Sequence, residues 1–242
     1  MKISIVTVCY NAVDSIEKTI MSVLNQSYSN IEYIVVDGMS TDGTYEKILE
    51  YQETITVIHE PDRGIYDAMN KGTAVATGEY IYFLNSGDVF CDTCIIADMI
   101  ERLEKDKPDI LCANVNYVYK DNQKKLHDYT SLRKLNKFWM AAGITVCHQG
   151  IITKAEIVKK KKFDVNYSLW ADQELVAYCL YTGKKITYAN IVLCDFDAYG
   201  YSSGKDKKAV SRKECDMINC KYNKLWYLVF LIPKKMVRCF SK

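Results

Sequence analysis

This sequence predicts an α/β fold, a mostly parallel twisted sheet covered by helices on both faces. Three observations carry that expectation. The strand-like segments of the first 84 residues are apolar almost throughout, as strands buried on both faces must be. Amphipathic helical stripes alternate with them, the pattern of parallel crossover units. The composition is that of a globular chain: 242 residues, 49% hydrophobic, 26% charged and only three prolines, which points to one compact unit.

Each element follows in order. Ile3–Tyr10 is β-branched and mostly apolar, hence a first strand. Ile16, Ile20, Val23 and Leu24 then recur at i, i+4, i+7 and i+8, and Asp14 and Glu17 have capping-box spacing with Asp in place of Ser or Thr. Ile31–Asp37 is a second strand. The turn-rich "GMSTDGT" precedes a helix whose Tyr45, Ile48 and Leu49 share a face. Ile55–Glu60 is a third strand, Ile65–Ala76 a helix and Tyr80–Leu84 a fourth strand.

The second half is less regular. Asp109–Tyr119 and Cys147–Thr153 read as strands, with a polar-to-amphipathic excursion, Lys120–Ala142, between them. Trp170–Gly183 reads as a helix stopped by Gly183. Lys185–Phe196 is a last strand and Lys207–Lys224 a polar helix.

Several function classes are disfavoured. Neither GxGxxG after the first strand nor GxxxxGK[ST] occurs, so the Rossmann dinucleotide fingerprint and the P-loop are both missing. A net charge of +2 argues against nucleic acid as a partner. The first residues lack a secretory pattern, so the ten cysteines read as reduced thiols of a cytoplasmic protein. Cys91 and Cys94 form one CxxC without a second pair at zinc spacing, and read as covering the first turn of a helix. No apolar run reaches the ~20 residues of a spanning helix. The nearest, Leu225–Pro233, contains Trp226 and Tyr227 and is followed by Lys234, Lys235, Arg238 and Lys242. That segment suits either a docked C-terminal helix or peripheral contact with a membrane through residues 225–242.

In an open α/β sheet, ligands bind beyond the carboxyl ends of the strands. Here those ends carry Cys9, Tyr10 and Asn11; Asp37 and Gly38; Glu60 to Gly64; and Asn85, Ser86, Gly87 and Asp88. Taken singly, Asp37 reads as an Asx turn, Asp62 as a local partner of Arg63 and Asp88 as a helix cap. Together they form an acidic edge suited to Mg²⁺ or Mn²⁺ with a diphosphate. His148 reads as a hydrogen-bonded structural histidine or as a metal or acceptor ligand.

The segments "SIVTVCYNA", "QSYSNIEYIVVDGMSTDGT", "EPDRGIYDAMNKGTAVATGEYIYFLNSGD", "CHQG" and "WADQEL" resemble inverting family 2 glycosyltransferases of the GT-A fold. The resemblance is dense over Ile3–Asp88 and fades after about Phe196. It implies a glycosyltransferase domain over residues 1–205, with a nucleotide-sugar-binding half (1–90) and an acceptor half (91–205), and a C-terminal extension (206–242). It implies a UDP-sugar donor, a glycan or lipid-linked acceptor of cell-surface polysaccharide synthesis, and work at the inner face of the cytoplasmic membrane. Residue by residue, it implies Thr7, Tyr10 and Asn11 at the base, Asp37 at the base or ribose, and Arg63 near the nucleotide. Asp67, Asn70, Lys71 and Ser86 would lie beside the donor, Asp88 would hold one divalent ion, and Asp172 would be the catalytic base. Many relatives carry two or three acids at the metal motif, whereas "NSGD" has Asp88 alone. A nucleotidyltransferase and a non-catalytic nucleotide-sugar-binding scaffold are the competing readings. Glu174 competes with Asp172, but the two side chains of one helix point roughly 200° apart, so only one faces a site.

Overall fold

The computed structural model describes residues 1–119, 123–127, 137, 140, 146–198, 207–222 and 224. The strands are β1 (Ile3–Cys9), β2 (Ile31–Asp37), β3 (Thr56–His59), β4 (Tyr80–Phe83), β5 (Val89–Phe90), β6 (Ile110–Val118), β7 (Lys124–His127), β8 (Ile151–Lys154) and β9 (Ile186–Asp197). The helices are α1 (Ile16–Leu24), α2 (Thr44–Leu49), α3 (Ile65–Val75), α4 (Ile95–Asp106), α5 (Ala155–Lys161), α6 (Ala171–Tyr181) and α7 (Lys207–Tyr222).

One sheet runs in the order β3-β2-β1-β4-β8-β6-β9-β5, with β7 paired to β6. Its first four strands are mutually parallel, and all of β1 is buried. β8 then enters antiparallel to both β4 and β6, and β9 returns parallel to β6. The sheet thus joins the two sequence halves through β4 and β8. α3 lies tight against β1, because a Cβ on Gly72 would come within 2.5 Å of the Val6 side chain. Ile5, Val6, Ile34, Tyr82, Met99, Leu111 and Val176 anchor the continuous apolar core.

Three local expectations are corrected. α1 is capped by Ser15, without a side-chain capping bond, so Asp14 and Glu17 form no capping box. Glu17 instead accepts from Tyr51, and Ser15 Oγ lies 3.1 Å from Ser86 Oγ. Cys147–Thr153 is not one strand: a 3-10 turn, His148–Gly150, precedes β8. Gly150 explains the break, since a Cβ there would lie 2.5 Å from the Ala113 carbonyl. Finally, β5 and β7 were not expected: β5 has only two residues, and β7, KKLH, is polar and largely exposed, without an apolar run to mark it. Cys94 is the N-cap residue of α4. Among the described residues no helix is long and apolar enough to cross a membrane. Residues 225–242, and most of 120–145, lie outside the described residues.

Candidate active site

The crevice at the strand ends starts with a turn. Backbone pairing with β1 continues past β4 as far as Ser86, whose N–H donates to the Val8 carbonyl at 3.3 Å. The chain then reverses: Asp88 N–H donates to Asn85 O at 3.1 Å, with Gly87 at φ +98°. Thr19 on α1 pins the reversal, accepting from Gly87 N–H at 3.0 Å and donating to Asp88 O at 2.9 Å. Glycine is needed here for its φ, not for space, because nothing lies within 4 Å of a Cβ at Gly87. Gly87→Ala is expected to cost about 1 kcal/mol or more of stability and to displace Asp88. Thermal unfolding together with donor titration checks both effects.

Asp88 lines the crevice yet is only 3% exposed. Gln149 Nε2 donates to its Oδ2 at 2.8 Å, and Asp197 N–H to its Oδ1 at 3.0 Å. Burial pushes the Asp88 carboxyl up to about 8, and the charge of Asp197 adds to this; the two donated hydrogen bonds oppose it without cancelling it. It is not a helix cap, since α4 begins only at Ile95.

Asp172 enters the same crevice from the other half of the chain, in the first turn of α6. Tyr66 Oη donates to its Oδ1 at 3.0 Å, and Gln173 Nε2 to its Oδ2 at 2.8 Å. His148 Nδ1 lies 3.6 Å from Oδ2. Burial works to raise the Asp172 carboxyl, but His148, Gln173 and Tyr66 outweigh it and hold the group below the usual carboxylate range. Burial and the facing Asp172 keep Tyr66 protonated, and so a donor. Glu174 points elsewhere: it is fully buried between Lys161 (2.6 Å), Lys221 (2.7 Å) and Tyr222 (2.5 Å). Of the two acids in "WADQEL", Asp172 is the one on the crevice.

The crevice has a volume of about 760 Å³. Of the residues expected at a site, Tyr10, Ser86, Asp88, His148 and Asp172 line it. Three buried polar atoms along its wall, Asn85 Oδ1, His148 Nε2 and Gln173 Oε1, have no hydrogen-bond partner among the described residues. A wall left in that state is suited to a polar ligand.

Other expected residues do local work instead. Thr7 is fully buried, donating to Leu84 O at 2.7 Å and lying 3.0 Å from Tyr33 Oη, so it does not reach a base. Asn11, at φ +48°, accepts from Thr41 N–H at 2.9 Å and ties two loops together. Asp37 is fully buried, its oxygens held by the Ser40 N–H and hydroxyl, His59 Nδ1 (2.7 Å) and the Cys9 thiol. It braces the β2 end rather than facing the crevice. Arg63 pairs with Asp67 at 3.3 Å, not with Asp62, and Asp62 accepts from Gly64 N–H. Lys71 donates to Pro61 O at 2.5 Å and pairs with Glu60. Asn70 clasps the backbone of Phe163 in both directions at 2.9 Å.

Sequence reading missed Gln149, Tyr66, Trp170 and Asp197 at the crevice. Asp62, read both as a local partner of Arg63 and as part of the acidic edge, lines the wall above Gly38, where a Cβ would lie 2.3 Å from its Oδ2. For Gln149 a signal existed, its place beside His148 in "CHQG". Trp170 in "WADQEL" and Tyr66 in "EPDRGIYDAMN" stood in such segments too, and Asp197 became visible only with the chain folded.

The model of "Glycosyl transferase family 2" matches residues 4–160, more than half of the chain. The chain belongs to glycosyltransferase family 2. An uncharacterized glycosyltransferase of Mycobacterium tuberculosis is 31% identical over 216 residues, covering 86% of this chain and 79% of the relative. A beta-1,3-glucosyltransferase of Escherichia coli is 35% identical over 121 residues, 49% of this chain and 47% of that one. By its name that enzyme uses UDP-Glc as donor and a GlcNAc-diphosphoundecaprenol as acceptor. Among solved structures, S. aureus TarS 1–349 in complex with UDP-GlcNAc aligns with a TM-score of 0.69 at 18% identity, over 92% of this chain and 68% of that one. A Pyrobaculum calidifontis mannosyltransferase in complex with GDP-Man and Mn²⁺ aligns at 0.67, over 86% of this chain and 61% of that one. Against a longer TarS structure this chain spans 37% of the length. The fold of this family 2 glycosyltransferase is GT-A.

Proposed function

We propose that this glycosyltransferase moves a sugar, with inversion, from a UDP-sugar to a hydroxyl of a glycan or lipid-linked acceptor in cell-surface polysaccharide synthesis. One observation carries the reading. Asp88 and Asp172, 84 positions apart in sequence, line one crevice, Asp88 in the turn that also carries Asn85 Oδ1 and Asp172 held in place by Tyr66 and Gln173. The relative that uses a lipid-diphosphate acceptor and the neighbour bound to UDP-GlcNAc support the substrate classes.

Asp172 is the base. As the acceptor oxygen bonds to the anomeric carbon, its proton passes to the Asp172 carboxylate, and the bond from that carbon to the diphosphate breaks. Attack from the face opposite the leaving group inverts the centre. Tyr66, Gln173 and His148 hold the carboxylate in its ionised form and in one orientation.

The donor set fits one hard divalent ion, Mg²⁺ or Mn²⁺: the Asp88 carboxylate and the unpartnered Asn85 Oδ1 belong to one turn and offer oxygen only. When bound, the ion neutralises charge on the departing diphosphate. Among the described residues no group of three His, Cys, Asp or Glu could hold a metal, so Asp88 and Asn85 would hold the ion together with oxygens of the donor phosphate and of water. Work beside the inner face of the cytoplasmic membrane, with contact through residues 225–242, completes the proposal.

The test is turnover of a panel of nucleotide sugars with Mg²⁺ or Mn²⁺ and lipid-diphosphate saccharide acceptors. The expected result is acceptor-dependent release of UDP. Release of pyrophosphate would favour a nucleotidyltransferase, and donor binding without turnover a scaffold.

A further inference from the structure

We infer that Glu214, on the C-terminal helix α7, is a positioning residue for the catalytic base. α7 lies wholly beyond the residues that match the family model. Its Glu214 is nonetheless 4% exposed and aimed at the segment that leads into α6. The carboxylate accepts from Ser168 N–H (2.7 Å), Ser168 Oγ (2.7 Å), Leu169 N–H (2.9 Å) and Trp170 N–H (3.0 Å). Ser211, one turn earlier on α7, accepts from Trp170 Nε1 at 2.8 Å.

These bonds meet a specific need. The N-cap residue of α6 is Trp170, which supplies no side-chain cap. Asp172 follows two residues later. The entry to the helix that bears the base would otherwise hold three successive N–H groups and a hydroxyl without these partners. A single carboxylate from a distant element gathers all four. Ser168, Leu169, Trp170 and Ser211 also line the crevice, so the clamp shapes the wall beside the base. Two bonds of opposite polarity fix the C-terminal end of α7, where Lys221 and Tyr222 hold Glu174, also in the first turn of α6. α7 and α6 are thus bolted at two points, and the rotation and axial position of Asp172 follow from the first.

The inference rests on Asp172 being the base, and a double-mutant cycle separates the two claims. Glu214→Gln keeps the shape but turns an amide N–H₂ toward the N–H donors. We expect it to lower kcat about 10- to 100-fold, with the UDP dissociation constant, measured calorimetrically with Mg²⁺, within about twofold of wild type. In an Asp172→Asn background the same change is expected to cost less than about twofold, because the group it positions is gone. Equal loss in both backgrounds overturns the inference, as does a weakened UDP affinity that tracks a fall in Tm. Transfer left intact by Asp172→Asn alone overturns the base itself. Glu214→Asp, which keeps the charge one methylene shorter, carries the same cycle if the Gln variant does not fold, and recovers part of the lost kcat. Failure of both to fold assigns Glu214 to stability alone.

Discussion

Asp172→Asn is expected to lower kcat for sugar transfer by about 10²- to 10⁴-fold, the range for loss of a general base. The substitution is isosteric, and Tyr66 can still donate to the side-chain oxygen that replaces Oδ1. Donor affinity should therefore stay within about twofold. Because the carboxyl is held below the usual range, wild-type activity should show no loss attributable to Asp172 until the pH falls below about 4. Steady-state kinetics with donor and acceptor varied separately check both statements. Wild-type kcat in the variant would remove Asp172 from the chemistry. Glu174 offers no substitute, since it is committed to two lysines and a tyrosine on the far side of the helix.

The second large effect belongs to Asp88 and depends on pH. In the folded chain burial raises this carboxyl to about 8, from 3.8 for an ordinary aspartate. Between those limits the native state binds a proton that the unfolded chain has released. Stability therefore falls as pH rises through this window, by at most about 1.4 kcal/mol per unit. A divalent ion needs the charged form, so binding it below pH 8 expels that proton. Affinity for UDP with Mg²⁺ or Mn²⁺ should thus strengthen by up to about tenfold per unit from pH 6 to 8, then level off. Asp88→Asn should flatten both the stability profile and the affinity profile. Calorimetry in buffers of different ionisation enthalpy counts the released proton directly. Metal-supported affinity that is independent of pH, or unchanged in Asp88→Asn, would sink the assignment.

The two carboxylates were legible in the sequence for different reasons. Asp88 stands at the end of an apolar strand, where topology delivers polar residues to a crevice. Asp172 drew attention through "WADQEL", and the helix period separated it from Glu174. The donor-side residues were harder. Asp37, Asn70 and Lys71 occupy family positions, but in this fold their polar atoms are spent on Ser40 and His59, on Phe163, and on Pro61 and Glu60. A short side chain beside a loop backbone satisfies that backbone first, and no spacing rule distinguishes this from ligand contact.

What the chain alone settled was the parallel half of the sheet, and it pointed to the strand ends, with Asp88, that line the crevice. Those follow from near-continuous apolar runs and from their alternation with amphipathic helical stripes, which are local properties. Tertiary structure decided the charge state and the company of each acid. Gln149 reaches Asp88 from 61 positions away, Tyr66 reaches Asp172 from 106, and Glu214 braces the approach to α6 from 44 to 46. Burial and hydrogen bonding set a carboxyl's proton affinity, and both arise from partners that only folding brings within 3 Å.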